Sequence, residues 1–196
     1  MKFRPAALCI LVASAALLTA AGCIFSPGSG GTTPPQEYLP DTSPENVIHN
    51  VSALYEKRDV TKYEETLGAN YVFRYQPADI VAGQPDSLIK AEEVEFARHL
   101  FETGKPAEGL PAASRITLRI TINSSGPDDR IQHRNLGWMK YNVRTELTIN
   151  FPDGSGNNVS SPALFYLKQE PDSSGHWKLV EWADQPAGAP VVVSAR

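Results

Sequence analysis

Residues 45–59 read Glu-Asn-Val-Ile-His-Asn-Val-Ser-Ala-Leu-Tyr-Glu-Lys-Arg-Asp. Val47, Ile48, Val51, Leu54 and Tyr55 recur at the spacing of one helical face, which predicts an amphipathic helix over 44–58. Ser43 is placed to cap it, Pro44 suits the first helical position, and Glu45 complements the helix dipole. Asp59 then caps a short second helix carrying Tyr63 and Leu67, which stops at Gly68. Tyr71-Val72-Phe73-Arg74-Tyr75 follows as a β-rich run ended by Pro77.

Further along the chain, Ser87 is expected to cap a third helix running to about Glu102, with Ile89, Val94, Phe96, Ala97, Leu100 and Phe101 on one arc. A series of strands comes next. Ile116, Leu118, Ile120 and Ile122 alternate with polar residues, and the stretch 123–129 is read as a loop. A long strand over 136–151 places Met139, Tyr141, Val143, Leu147 and Ile149 on one side, and strands over 163–168 and 177–183 complete the set. Helix, helix, strand, helix and an antiparallel meander describe an α+β domain over 43–186, with the helices laid on one face of a curved sheet. Residues 187–196 form a tail.

The N-terminus reads as an address. Lys2 and Arg4 precede an apolar stretch over 6–21 that is too short and too closely followed by Gly and Pro to span a membrane, the layout of a secretory signal over 1–22. Leu17-Leu-Thr-Ala-Ala-Gly-Cys23 resembles the lipobox of bacterial lipoproteins, with Ala20 where Leu is more usual, and the resemblance implies diacylglycerol on Cys23. The alternative is a plain signal peptide cut nearby. Residues 23–42, rich in Gly, Ser, Thr and Pro, are expected to tether the domain to the membrane, in the cell envelope at an outer membrane or on the outer face of the cytoplasmic membrane. Cys9 would leave with the signal, so the domain holds itself by packing alone, without a disulfide or a Cys metal ligand. Removing Lys2 and Arg4 from the 18 basic residues leaves 16 against 22 acidic ones, a balance that offers no electrostatic footprint for nucleic acid.

The order of elements resembles the NTF2-like superfamily, which includes the ketosteroid isomerases and the SnoaL-like proteins. The resemblance is carried by the 45–59 stretch with its following Tyr-Val-Phe strand, and by the closing His176-Trp-Lys-Leu-Val-Glu-Trp-Ala-Asp184. It implies a cone with an apolar pocket between sheet and helices. Glu93 falls inside the apolar arc of the third helix. A carboxyl group held there would have a raised pKa and serve as a general acid or base; the plainer alternative has it reach solvent or pair with Arg58. Tyr55, Tyr71, Phe73, Tyr141 and Trp182 are the other pocket candidates, as stacking surfaces or hydroxyl donors. Tyr55, Asp79 and Glu146 lie in regions loosely comparable to the acid, base and donor positions of the ketosteroid isomerases, but Glu146 sits on a polar face and Asp79 lies beyond Pro77, so no catalytic role carries over.

No nucleophile or phosphate-binding motif occurs. Glu92, Glu95, His99 and Glu102 share a helix face that solvent explains, and His49, His133 and His176 are scattered, so no metal and no cofactor is expected. These residues predict a lipid-anchored module outside the cytoplasm, non-catalytic, that binds a small apolar ligand or a protein partner. The alternative is a SnoaL- or ketosteroid-isomerase-like enzyme that moves a proton with a cavity carboxylate. A third reading is a homodimer formed through the open face of the sheet.

Overall fold

The first helix begins where its capping residues demand. In the computed structural model, which describes residues 38–186 except 81, 134 and 172–174, Ser43 accepts a hydrogen bond from the Asn46 N–H at 3.2 Å and α1 spans Pro44–Lys57. It ends at Arg58, a non-glycine residue at φ 57°, whose guanidinium donates to the Ala113 carbonyl at 2.7 Å. That bond helps offset the roughly 1–2 kcal/mol cost of the left-handed backbone. Asp59 caps α2 (Val60–Thr66) by accepting from the Lys62 N–H, as its sequence position predicts.

Six strands follow among the described residues: β1 (Leu67–Arg74), β2 (Ser87–Ile89), β3 (Arg115–Pro127), β4 (Met139–Asn150), β5 (Gly156–Gln169) and β6 (Trp177–Asp184). They form one sheet in the order β2-β1-β6-β5-β4-β3. The meander from β3 to β6 is antiparallel, while β1 and β6 run parallel. Register shifts in β1, β3 and β6 bend the strands, since a bulge adds local twist. Val47, Val51 and Leu54 of α1 are buried in a core shared with Ile116, Val143 and Phe165 of the sheet, so the α+β expectation of helices on a curved sheet is met.

The third helix differs from the expectation. Ser87 is not its cap: Ser87, Leu88 and Ile89 pair with Arg74, Phe73 and Val72 as an edge strand. Helix α3 spans Lys90–Arg98, with Glu92 accepting the Ile89 N–H at 3.0 Å, and widens into a π turn over His99–Thr103. Ile89 and Phe96, expected to face inward, are 59% and 50% exposed. Ile89 belongs to the strand, and Phe96 stands at the edge of the inward stripe formed by Glu93, Val94 and Ala97.

Three further boundaries move. Strand β3 continues to Pro127 through the stretch read as a loop, because Ser124 to Pro127 pair with β4. Strand β5 begins at Gly156 rather than 163, its polar first half paired with the end of β4. Residues 38–42, read as the end of the tether, are held to the domain. The Tyr38 hydroxyl donates to Asp59, the side chain of Asn50 bonds both backbone groups of Leu39, and the Trp177 N–H donates to the Asp41 carbonyl. The expectations on the signal over 1–22, on Cys23, on the tether over 23–37 and on the tail over 187–196 lie outside the described residues.

Candidate functional site

Where the sheet curves away from α1 and α3, a cavity of about 220 Å³ opens between them. Its apolar wall comes from Leu118 on β3, Leu147 on β4 and Val159 on β5, which lie side by side because the register pairs Leu118 with Leu147 and Leu147 with Val159. Thr145 and Ser161 form the next rung, and the Thr145 hydroxyl is spent on the Ser161 carbonyl at 3.1 Å. Tyr55 of α1, Phe73 of β1, Tyr75, Phe96 of α3 and Trp182 of β6 complete an aromatic lining. Phe73 packs edge-on to Tyr75 at 5.0 Å and tilted against Trp182 at 5.9 Å.

Glu93 is the buried acid of this cavity. It is 4% exposed and lines the space. Its Oε1 accepts the Tyr63 hydroxyl at 2.8 Å, while Oε2 has no hydrogen-bond partner among the described residues. Burial, reinforced by the nearby Asp184 and only partly offset by the Tyr63 hydrogen bond, pushes its pKa up to about 7. The sequence alternative of a pairing with Arg58 is not met, since that guanidinium is on Ala113.

Asp184, at the end of β6, also lines the cavity. Burial raises its pKa although the Trp182 indole N–H donates to it at 2.9 Å. Tyr55, Tyr63 and Tyr71 surround Glu93, and burial first, then the charge of Glu93, keeps their hydroxyls protonated well above the ordinary tyrosine range. The Tyr71 hydroxyl is fully buried and has no hydrogen-bond partner among the described residues.

Four of the six pocket candidates therefore meet in one place: Tyr55, Phe73, Glu93 and Trp182. Tyr71 is buried outside the lining. Tyr141 also lies outside the lining. It shares a rung with Phe165, Trp182 and Phe73, but its hydroxyl donates to Glu45 of α1, which covers that end of β4. Sequence reasoning missed Tyr63, Tyr75 and Asp184. The signal for Asp184 was present, because it stands two residues after Trp182 on one strand and so shares its face.

The face of β5 and β6 turned away from the cavity carries a polar cluster. Asp128, with no side-chain exposure, accepts from the Arg130 backbone and guanidinium and contacts His133 Nδ1 at 2.7 Å. Arg130 lies 3.6 Å over the Tyr166 ring and donates to Glu181, which also accepts from Arg74. His133 stacks on Trp138 at 3.8 Å. These contacts clamp the loop between β3 and β4 onto the sheet. The stripe of Glu92, Glu95 and His99 is used locally: Glu92 caps α3, and Glu95 bonds Arg98 and His99. Among the described residues no group of three His, Cys, Asp or Glu side chains has metal-binding geometry.

No family model matches the chain. No curated protein matches it either. Solved structures do. A conserved protein from Planctomyces limnophilus aligns with a TM-score of 0.53 at 11% identity, over 71% of this chain and 89% of its own. A protein from Catenulispora acidiphila aligns with a TM-score of 0.51 at 14% identity, over 72% and 86%. A nuclear transport factor 2 (NTF2-like) superfamily protein from Salmonella enterica aligns with a TM-score of 0.50 at 13% identity, over 76% and 92%. At such identities the likeness is one of fold: three helices packed on a curved six-stranded sheet, the NTF2-like fold.

Proposed function

We propose that the chain is a lipid-anchored NTF2-like module outside the cytoplasm whose cone binds a small, largely apolar molecule, with Glu93 as its buried polar contact. One observation carries this reading: Glu93 Oε2 is without a partner among the described residues, on a side chain that lines an apolar and aromatic cavity of about 220 Å³. A carboxyl oxygen that accepts no hydrogen bond from these residues, on a side chain lining an apolar cavity, is available to a donor on a bound molecule. The volume suits one or two rings, since a dry cavity of about 150 Å³ already admits benzene.

Native mass spectrometry of the detergent-purified chain, after exposure to an extract of its own source, tests the binding. The expected result is a small molecule of defined mass that is lost when Leu147→Trp fills the wall. A chain that stays unliganded in both forms contradicts it. Anchoring rests on the lipobox-like 17–23 stretch, and Cys23→Ser is expected to move the protein from the membrane fraction to the soluble one.

A second reading is proton transfer. With a pKa of about 7, Glu93 is divided between acid and base near neutrality, the poise that general acid–base chemistry uses. A folded Glu93→Gln variant that binds a substrate but no longer turns it over would favour this reading over simple binding.

A further inference from the structure

We propose that the ligand of this cavity is an organic cation, an amine or quaternary ammonium carried on an apolar body. The inference rests on the cavity reading and narrows it. Two carboxyl groups, Glu93 and Asp184, line the same space, and no Lys, Arg or His does so among the described residues. The ring of Trp182, the aromatic surface that attracts cations best, lines the same space, with its indole N–H on Asp184, and is joined by Tyr75, Phe73 and Tyr55. A carboxylate ligand would meet like charge here with nothing to neutralise it. A neutral ligand would gain nothing from the charge of either acid. A cation satisfies both acids and the ring faces together.

Charge from other elements does not reverse this balance. The groups facing Glu93 are the hydroxyls of Tyr55, Tyr63, Tyr71 and Tyr75 and the carboxyl group of Asp184, and Asp184 is itself influenced by Asp79. All are neutral or acidic. The nearby Lys90 is committed to the Leu67 carbonyl at 2.9 Å, and Arg74 to Glu181 on the opposite face. A bound cation would favour the ionised form of Glu93, so binding should release a proton near neutrality and tighten as pH rises.

The test uses two probes of one shape, N,N,N-trimethylanilinium and tert-butylbenzene, titrated into the full-length chain by NMR at pH 6 and pH 8. The expected result is that the cation binds more tightly than the neutral isostere at pH 8. Its affinity should fall about tenfold at pH 6, following the ionised fraction of a group titrating near 7, and Glu93→Gln should remove that dependence. Equal or tighter binding of tert-butylbenzene overturns the cation proposal and leaves the cavity reading intact. Binding of neither probe overturns both. Cation binding that Glu93→Gln and Asp184→Asn leave unchanged places the cation elsewhere on an acidic surface and overturns the proposal.

Discussion

The hydroxyl of Tyr63 donates to Glu93 Oε1 at 2.8 Å and so fastens α2 to α3 at the base of the cavity, across 30 residues of chain. Both residues are buried, at 0% and 4% exposure. The pair holds one carboxylate oxygen in place and leaves the other for the cavity.

The raised pKa of Glu93 makes stability depend on pH in a definite direction. Its folded value of about 7 lies above the ordinary 4.5, so the folded state holds the proton more tightly. The stabilisation is complete below about pH 4.5 and is lost as pH rises through 7, a change of about 3 kcal/mol. Denaturant unfolding at pH 4.5 and pH 8 is expected to show this loss in the wild type. In Glu93→Gln the corresponding part of the pH dependence should disappear.

Tyr63→Phe removes the only hydrogen bond that the Glu93 carboxyl group accepts among the described residues. It is expected to cost about 1–2 kcal/mol, and the cost should be larger at pH 8, where the carboxylate is ionised. Because that bond lowers the pKa of Glu93, the stability midpoint of the variant should move above 7. An unmoved midpoint would mean that the two side chains do not interact.

On the opposite face, burial alone would raise Asp128, but hydrogen bonds from Arg130 and His133 outweigh it and hold its pKa below the ordinary carboxylate range. Asp128→Ala leaves those donors without their acceptor and is expected to destabilise by about 3 kcal/mol. In the wild type this contribution is present above the ordinary Asp range and is lost as pH falls through the lower folded value. Hydrogen exchange should show the loop between β3 and β4 opening in the variant while the cavity stays protected.

Gly104 ends the π turn at φ +63°, where a Cβ would clash with the Leu110 carbonyl oxygen and stand 2.6 Å from the Ala112 nitrogen. Gly109 has a similar φ of +72° but open space around it. Gly109→Ala is therefore expected to cost about 1 kcal/mol for its backbone alone. Gly104→Ala should cost clearly more, because backbone atoms must move. Thermal unfolding of the two variants side by side checks the order.

Much of this was legible in the chain. The caps at Ser43 and Asp59, the buried face of α1 and the inward position of Glu93 all follow from local chemistry and a 3.6-residue period. What the sequence could not carry was set by contacts distant along the chain. Ser87 has the chemistry of a cap, yet pairing of Leu88 and Ile89 with β1 makes that segment a strand. Tyr141 alternates correctly onto the inner face, but α1 covers its end of β4, and only the packing decides which part of a long row is roofed and which opens. The angle between α2 and α3, which brings Tyr63 to Glu93, has no period to announce it.

Ligand binding requires first that the cavity be a binding space rather than a packed core. The most direct measurement is NMR mapping of methyl and indole resonances in the full-length chain as p-cresol, a one-ring probe, is added. Shifts confined to Leu118, Leu147, Val159 and Trp182 are expected, and Leu147→Trp should abolish them. No shifts at a saturating probe concentration, or shifts centred on Trp138 and Tyr166 of the opposite face, would contradict binding in the cavity.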